Sequence, residues 1–253
     1  MAREAKSRRW NWRLILSLAG LAAVTTATVY AVVQVRRYIN TDPQFTLSRD
    51  RKEALEIDGL HYGSRGKVLR TFAPDFGRSI FAAPLEERRH VLLGIDWVED
   101  ASVSRIWPDR IVARIRERKP VAFVLLRSGV QLIDSQGVLL DPPAQAQFAF
   151  PVLSGITEKD PLEIRHERVR SFLRVEQDFG YLVKDLSEVD AADPDNIRVV
   201  VQVEERAVEL LLGDSDFGRR YQNFLSHYPE IRKRSPEVKR FDLRLDDRIT
   251  AKE

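Results

Sequence analysis

Cysteine is absent from this chain of 253 residues, which excludes a disulfide framework, a thiolate nucleophile and any cysteine-held zinc. An exported domain of this chain therefore depends on its core alone. Histidine is scarce: His61, His90, His166 and His227 stand singly in the sequence and read as surface or packing residues. The short patterns that accompany hydrolysis, phosphate binding or metal catalysis are missing, with no G-x-S-x-G, no Walker loop, no G-x-G-x-x-G and no H-E-x-x-H. Asp96, Asp134 and Asp242 suit turns and strand edges better than a paired acid and base. Nor does one sign of charge prevail, because 41 Lys and Arg face 38 Asp and Glu, a net charge of +3. The basic stretches Arg114-Ile115-Arg116-Glu117-Arg118-Lys119 and Arg232-Lys233-Arg234 are brief and bracketed by acids, so they read as solvated faces. These absences predict a protein that is not an enzyme and has no cofactor, metal, small-molecule substrate or nucleic-acid ligand.

What is present begins with a long apolar run. Leu14 to Val35 (LILSLAGLAAVTTATVYAVVQV) holds no charged residue. At a rise of about 1.5 Å per residue, a helix of this length crosses a hydrocarbon core of roughly 30 Å. Trp10 and Trp12 precede it and Tyr38 follows it, where aromatic rings favour the headgroup layer. Two other readings compete, a buried core helix and a signal peptide cleaved near Val29-Tyr30-Ala31. The run is longer than the apolar region of a signal peptide, about 7–15 residues, so it predicts an uncleaved anchor. Arg3, Lys6, Arg8, Arg9 and Arg13 against the single acid Glu4 outweigh the Arg36-Arg37 pair. The positive-inside rule then places the N-terminus in the cytoplasm and the mass of the chain outside. The expected organisation is a basic tail over 1–13, the span over 14–35 and a linker over 36–44, broken by Pro43.

The exported part carries 3.6- and 2-residue periodicities in succession. An extended segment ends at Asp58-Gly59, and a short helix presents Val68, Leu69 and Phe72. A second helix, Leu85 to Leu93, follows Pro84 and presents Leu85, Val91 and Leu92. Val98 to Ile106 reads as a strand, Trp107-Pro108-Asp109 as a tight turn, and the segment through Ile111, Ala113 and Ile115 as the returning strand. Beyond Pro120, hairpins dominate. Asp134-Ser135-Gln136-Gly137 turns the first within Val130 to Leu140, and Glu204-Glu205-Arg206 turns another between Ile197 and Leu212. One helix is expected after Asp160-Pro161, running through Val169, Phe172 and Leu173 to Gly180, and another from Phe217 with Tyr221, Phe224, Leu225 and Tyr228 on one stripe. A last strand, Val238 to Leu245, precedes a polar tail. As an edge strand it is a candidate for β-augmentation by a partner, against the alternative that it only caps its own core.

The strand-helix-helix-strand-strand order, the stretch Ile95-Asp96-Trp97-Val98-Glu99-Asp100-Ala101-Ser102-Val103-Ser104-Arg105-Ile106-Trp107-Pro108-Asp109 and the following Glu117-Arg118-Lys119-Pro120-Val121-Ala122 resemble the POTRA domain of the FtsQ/DivIB cell-division family. Their pattern is V-x-x-A-x-V-x-R-x-W-P followed by E-R-x-P. The likeness continues through the Ile133-Asp134-x-x-Gly137 hairpin and the closing Asp242-Leu243-Arg244. It implies an α+β fold: a single transmembrane helix, a POTRA domain (β-α-α-β-β) over 45–119, a mainly antiparallel β domain with flanking helices over 120–245, and a polar tail over 246–253.

The resemblance also implies a non-enzymatic divisome scaffold in the bacterial inner membrane at the septum. Such a scaffold links early septal-ring proteins to the late complex through FtsB and FtsL and helps control septal peptidoglycan synthesis. Carried onto this sequence, it implicates Asp100, Val103 and Arg105 in septal recruitment, with other divisome contacts through the POTRA domain, and Phe241, Leu243, Arg244 and Leu245 in binding FtsB. The chain departs from the family where Leu245 stands in place of a frequent Tyr, and in its charged Asp246-Asp247-Arg248. An alternative role for a POTRA unit, in an outer-membrane or secretion system, calls for POTRA repeats and a barrel-sized set of strands, which this sequence lacks.

Overall fold

The computed structural model describes residues 12–144, 146–245 and 248–252. Arg3, Lys6, Arg8, Arg9 and Trp10 of the basic tail, and Asp246 and Asp247 near the other end, lie outside the described residues. The chain forms two compact units: the first takes in the chain up to Asp58 with 65–92 and 101–115, the second 59–64, 93–100 and the chain from Arg116 onward.

In the first unit, α1 (Trp12–Thr41) is exposed along nearly its whole length. Over Ile15–Thr41 it is long and apolar enough to cross a membrane, the one such helix among the described residues. It continues past Val35 through Arg36 to Thr41, where the sequence suggested a linker. No Pro or Gly interrupts that stretch. The helix ends where a proline requires it to: Asp42, just before Pro43, is extended (ψ 127°), and its carboxylate accepts the Gln44 N–H at 2.9 Å.

After α1 come β1 (Leu55–Asp58), α2 (Arg65–Phe72), α3 (Leu85–Leu93), β2 (Val98–Ile106) and β3 (Arg110–Glu117), the order expected for a POTRA unit, with Leu93, Val98–Asp100 and Arg116–Glu117 at their ends counted in the second unit. These strands form a sheet of order β1-β3-β2, with β1 parallel to β3 from Leu55 opposite Ile111 to Asp58 opposite Arg114. Val68, Phe72, Leu92, Ile111 and Ala113 are fully buried. Leu69 and Val91, expected on the buried faces, are exposed. A bidentate pair ties α3 to the turn after α2, with Arg88 Nε and Nη2 at 2.7 and 3.0 Å from the buried Asp75 carboxylate. The turn between β2 and β3 contains a cis Trp107-Pro108 bond.

The second unit is built on a sheet of β4 (Pro120–Leu126), β5 (Gly129–Asp134), β6 (Leu139–Leu140), β7 (Val152–Ser154), β8 (Leu186–Asp190), β9 (Ile197–Val203), β10 (Arg206–Gly213), β11 (Arg240–Asp242) and β12 (Thr250–Lys252). Their order across the sheet is β12-β11-β10-β9-β8-β7-β4-β5-β6. Most neighbours are antiparallel, but β4/β7, β7/β8 and β10/β11 are parallel. Parallel neighbours need a long crossover. Two of these pairs use α4 (Leu162–Phe179), between β7 and β8, and α5 (Phe217–Arg234), between β10 and β11.

The two helices and the inward residues of the strands share one core, from Val124 and Ile133 through Phe172 and Val199 to Phe224 and Phe241. Each large side chain fully buried there contributes about 1.5–3 kcal/mol. The helices approach closely. Phe179 stacks on Tyr221 at 4.8 Å, and a Cβ on Gly218 would lie 2.0 Å from the Asp178 carbonyl oxygen, so only glycine fits. Adjacent strand residues face opposite ways, and Leu132 and Leu140 join Trp97, Phe123, Phe148 and Phe150 in a smaller apolar cluster.

Candidate functional site

The family-like motif residues turn out to be internal fasteners of the second unit. Glu117 accepts the Tyr62 and Gly63 N–H groups at 2.9 and 2.6 Å. Arg118 Nη1 lies 2.8 Å from Asp134 Oδ2, while Asp134 Oδ1 accepts the N–H groups of Gln136 and Val138 and so closes the β5/β6 turn. Gly137 sits in that turn at φ 82°, where a Cβ would meet the His166 backbone nitrogen at 2.7 Å. Trp97 Nε1 donates to the Asp141 carbonyl at 2.9 Å.

The other motif residues divide by environment. On β2, Arg105 donates from Nε to Ile80 O (2.6 Å) and from Nη2 to Ala83 O (2.7 Å), holding the loop before α3. Val103 is half-buried, and Asp100 is 3.8 Å from Arg116 Nη2. In the closing segment, Phe241 and Leu243 belong to the core, with the Phe241 ring 5.1 Å from Phe224 and 6.4 Å from Tyr228. Arg244 is exposed, and Leu245 is 55% exposed. Of the implicated residues in this segment, only these two present themselves at the surface.

The expected strand Val238 to Leu245 is shorter than the sequence suggested and is not the edge. The ladder of β11 covers Arg240–Asp242, and single backbone bonds extend it at either end, Glu209 N–H to Lys239 O at 2.8 Å and Leu243 N–H to Leu211 O at 2.9 Å. Within the expected polar tail, β12 pairs antiparallel with β11, Thr250 opposite Asp242, Ala251 opposite Phe241 and Lys252 opposite Arg240. Strand β12 is outermost, and all its residues are exposed.

Asp242 organises this margin. Its carboxylate accepts Arg244 N–H (3.2 Å), Nε (3.0 Å) and Nη2 (2.8 Å) and lies 3.3 Å from Lys252 Nζ. Like charges stand opposite each other where Arg240 faces Lys252, an unfavourable pairing. Each is offset by an acid, Arg240 by Glu209 at 3.0 Å and Lys252 by Asp242. Arg244 Nη1 also reaches Asn196 Oδ1 at 2.9 Å. Beside the edge is an open depression of ≈450 Å³ lined by Arg198, Glu209, Arg240, Arg244 and Lys252. Another, of ≈430 Å³, lies between α5 and the C-terminal segment, lined by His227, Glu230, Ile231, Arg234 and Arg248. Arg198, Arg240 and β12 were not singled out from the sequence. Nothing in the sequence pattern signalled β12, because an exposed three-residue strand buries no face and shows no alternation.

The hydrogen bonds from Arg244 hold the Asp242 carboxyl down at about 2, below its ordinary 3.8. A lowered carboxylate pKa stabilises the fold above the unfolded value, and that contribution disappears as pH falls from about 4 toward 2. Because Arg244 is exposed and solvent screens the pair, the contribution at stake is about 1 kcal/mol. Denaturant unfolding of the wild type and of Asp242→Asn at pH 7 and near pH 2 is expected to show the wild type losing this extra stability and the variant not. Equal acid losses in both would remove Asp242 from its role as organiser.

Two family models match the chain, "POTRA domain, FtsQ-type" over residues 51–118 and "Cell division protein FtsQ/DivIB, C-terminal" over 122–244. The chain belongs to the FtsQ/DivIB family of cell division proteins. Among the relatives of this FtsQ/DivIB protein is the cell division protein FtsQ of Koribacter versatilis, 38% identical over 79% of this chain and 59% of that protein. FtsQ of Bordetella pertussis is 29% identical over 45% of this chain and 42% of its own length. The chain thus spans less than two thirds of either relative. A solved extracytoplasmic domain of the cell division protein DivIB from Geobacillus stearothermophilus is 21% identical, covering 47% of this chain and 95% of that domain, with a TM-score of 0.26.

Proposed function

We propose that this FtsQ/DivIB protein is a non-enzymatic divisome scaffold that binds FtsB and FtsL by taking a partner strand onto β12, and so helps control septal peptidoglycan synthesis. In this reading α1 anchors it in the inner membrane with the N-terminus in the cytoplasm and everything after α1 outside, at the septum. The observation that carries the reading is the exposed outermost strand β12, which ends a well-buried sheet. An edge of this kind offers unpaired backbone donors and acceptors to an incoming strand, while neighbouring side chains give specificity. Exposed Leu245 supplies an apolar contact, and the depression lined by Arg198, Arg240 and Arg244 supplies polar ones. Septal recruitment is assigned to β2, with Asp100 and Val103 as contacts and Arg105 as the residue that positions the loop behind them.

Leu245→Glu places a charge on exposed apolar surface without entering the core. It is expected to weaken pull-down of the FtsB and FtsL ectodomains at least tenfold while the thermal unfolding of the protein stays unchanged. Undiminished capture of both ectodomains would contradict strand addition at this edge.

A further inference from the structure

At the end of α1 the chain passes directly into the rest of the first unit through a set of aromatic rings. Tyr38, on the last turns of α1, meets Phe45 edge-on at 5.8 Å, and Phe45 in turn meets Phe81 at 5.5 Å and Trp107 at 6.5 Å. Phe45 is buried at the centre, whereas Tyr38, Phe81 and Trp107 are 55%, 39% and 69% exposed. Backbone and side-chain bonds fasten the same place. Ser79 Oγ donates to Ile39 O at 2.6 Å, Ile80 N–H to Phe45 O at 2.8 Å, Leu47 N–H to Arg78 O at 2.9 Å, and Gln44 Nε2 to Tyr38 Oη at 2.7 Å. The junction is a packed one, not a free tether. A soluble surface rarely leaves so many large rings adjoining and open to water.

We infer that Tyr38, Phe81 and Trp107 form a membrane-contact surface that seats the first unit on the headgroup layer of an anionic bilayer. The inference rests on α1 being a membrane span. The charge-free run ends at Val35, so Arg36 and Arg37 mark the hydrocarbon boundary and Tyr38 falls in the layer beyond it. Phe81 and Trp107 are each separated from Tyr38 by one intervening ring, Phe45, which lies 5.8 Å from Tyr38, 5.5 Å from Phe81 and 6.5 Å from Trp107, so they adjoin the place where the chain leaves that layer. Tyr and Trp partition there because a flat apolar ring and a polar tip suit a half-wet environment. Arg36, Arg37 and Arg78 are exposed on the same stretches of chain, and their charge complements anionic headgroups. The aromatic patch thus continues an existing membrane contact.

Because the sequence has no cysteine, single-cysteine variants report one site each. Nitroxide labels placed by Phe81→Cys, Trp107→Cys, Val24→Cys in α1 and Tyr181→Cys on the second unit, in the full chain reconstituted in vesicles of zwitterionic and anionic phospholipid, are read by power-saturation EPR. Oxygen accessibility is compared with that of a water-soluble nickel chelate. Labels at 81 and 107 are expected to meet oxygen several-fold more than nickel, and the label at 181 the reverse. If either 81 or 107 is as open to nickel as 181 while 24 is lipid-like, the seating is overturned and the span survives. If 24 is itself aqueous, both fail.

Discussion

Proline placed in β12, either Thr250→Pro or Ala251→Pro, is expected to weaken binding of the FtsB ectodomain by roughly ten- to hundredfold while leaving the core intact. Along a strand, successive N–H groups point to opposite sides, so of these neighbours one faces β11 and the other faces the open edge. Proline removes an N–H in either case. At the outward position it deletes a bond to the incoming strand and leaves the partner's carbonyl unsatisfied, a loss of about 1–3 kcal/mol, which corresponds to the stated fold-change. At the inward position it detaches β12 from β11 and so removes the template. Neither residue is buried, so thermal unfolding should move little. Titration calorimetry with the partner ectodomain checks the affinity, and a scan of each variant checks the fold. Wild-type affinity in both variants would place the binding site elsewhere.

Phe241→Ala is expected to act quite differently. Its ring is buried against Phe224 and Tyr228 of α5, and truncating a fully packed Phe costs about 3–5 kcal/mol through lost transfer energy and the cavity left behind. For a unit of this size the melting temperature should fall by about 10–20 °C. Binding is lost with it, but by way of stability: lowering the temperature or adding an osmolyte should restore capture by Phe241→Ala and should not restore it for Leu245→Glu. Differential scanning calorimetry together with a pull-down at two temperatures separates the two. A Phe241→Ala protein that melts like the wild type yet fails to bind would make the ring a direct contact, contrary to its burial.

These two residues also show what the sequence could and could not convey. Phe241, Leu243 and Leu245 alternate as one strand face should, yet the structure buries the first two and exposes the third, because the ladder stops at Asp242 and the chain leaves the sheet after Leu243. Periodicity located α4, α5 and the β9/β10 hairpin because their buried faces write a period into the chain. It was silent on β12, whose residues bury nothing. The parallel pairing of β11 with β10 was likewise invisible, since an apolar alternation does not encode strand direction. Proline and glycine were better guides to ends than to functions. Pro43 set the end of α1, six residues past the apolar run, and Gly137 marked a turn that only glycine fits. The Glu117-Arg118 and Ile133-Asp134 motifs were legible as family marks, and the structure shows what they fasten, Glu117 the Tyr62 backbone and Arg118 the Asp134 carboxylate.

In the proposed mechanism β12 is the edge that receives the partner. Amide hydrogen exchange of the protein with and without the FtsB ectodomain tests it most directly, comparing the segment from Leu245 onward with the opposite margin of the sheet at β6. Strand addition predicts that exchange slows at Thr250 to Lys252 on binding while Leu139 and Leu140 are unchanged. Unaltered exchange at Thr250 to Lys252 in a saturated complex would contradict it.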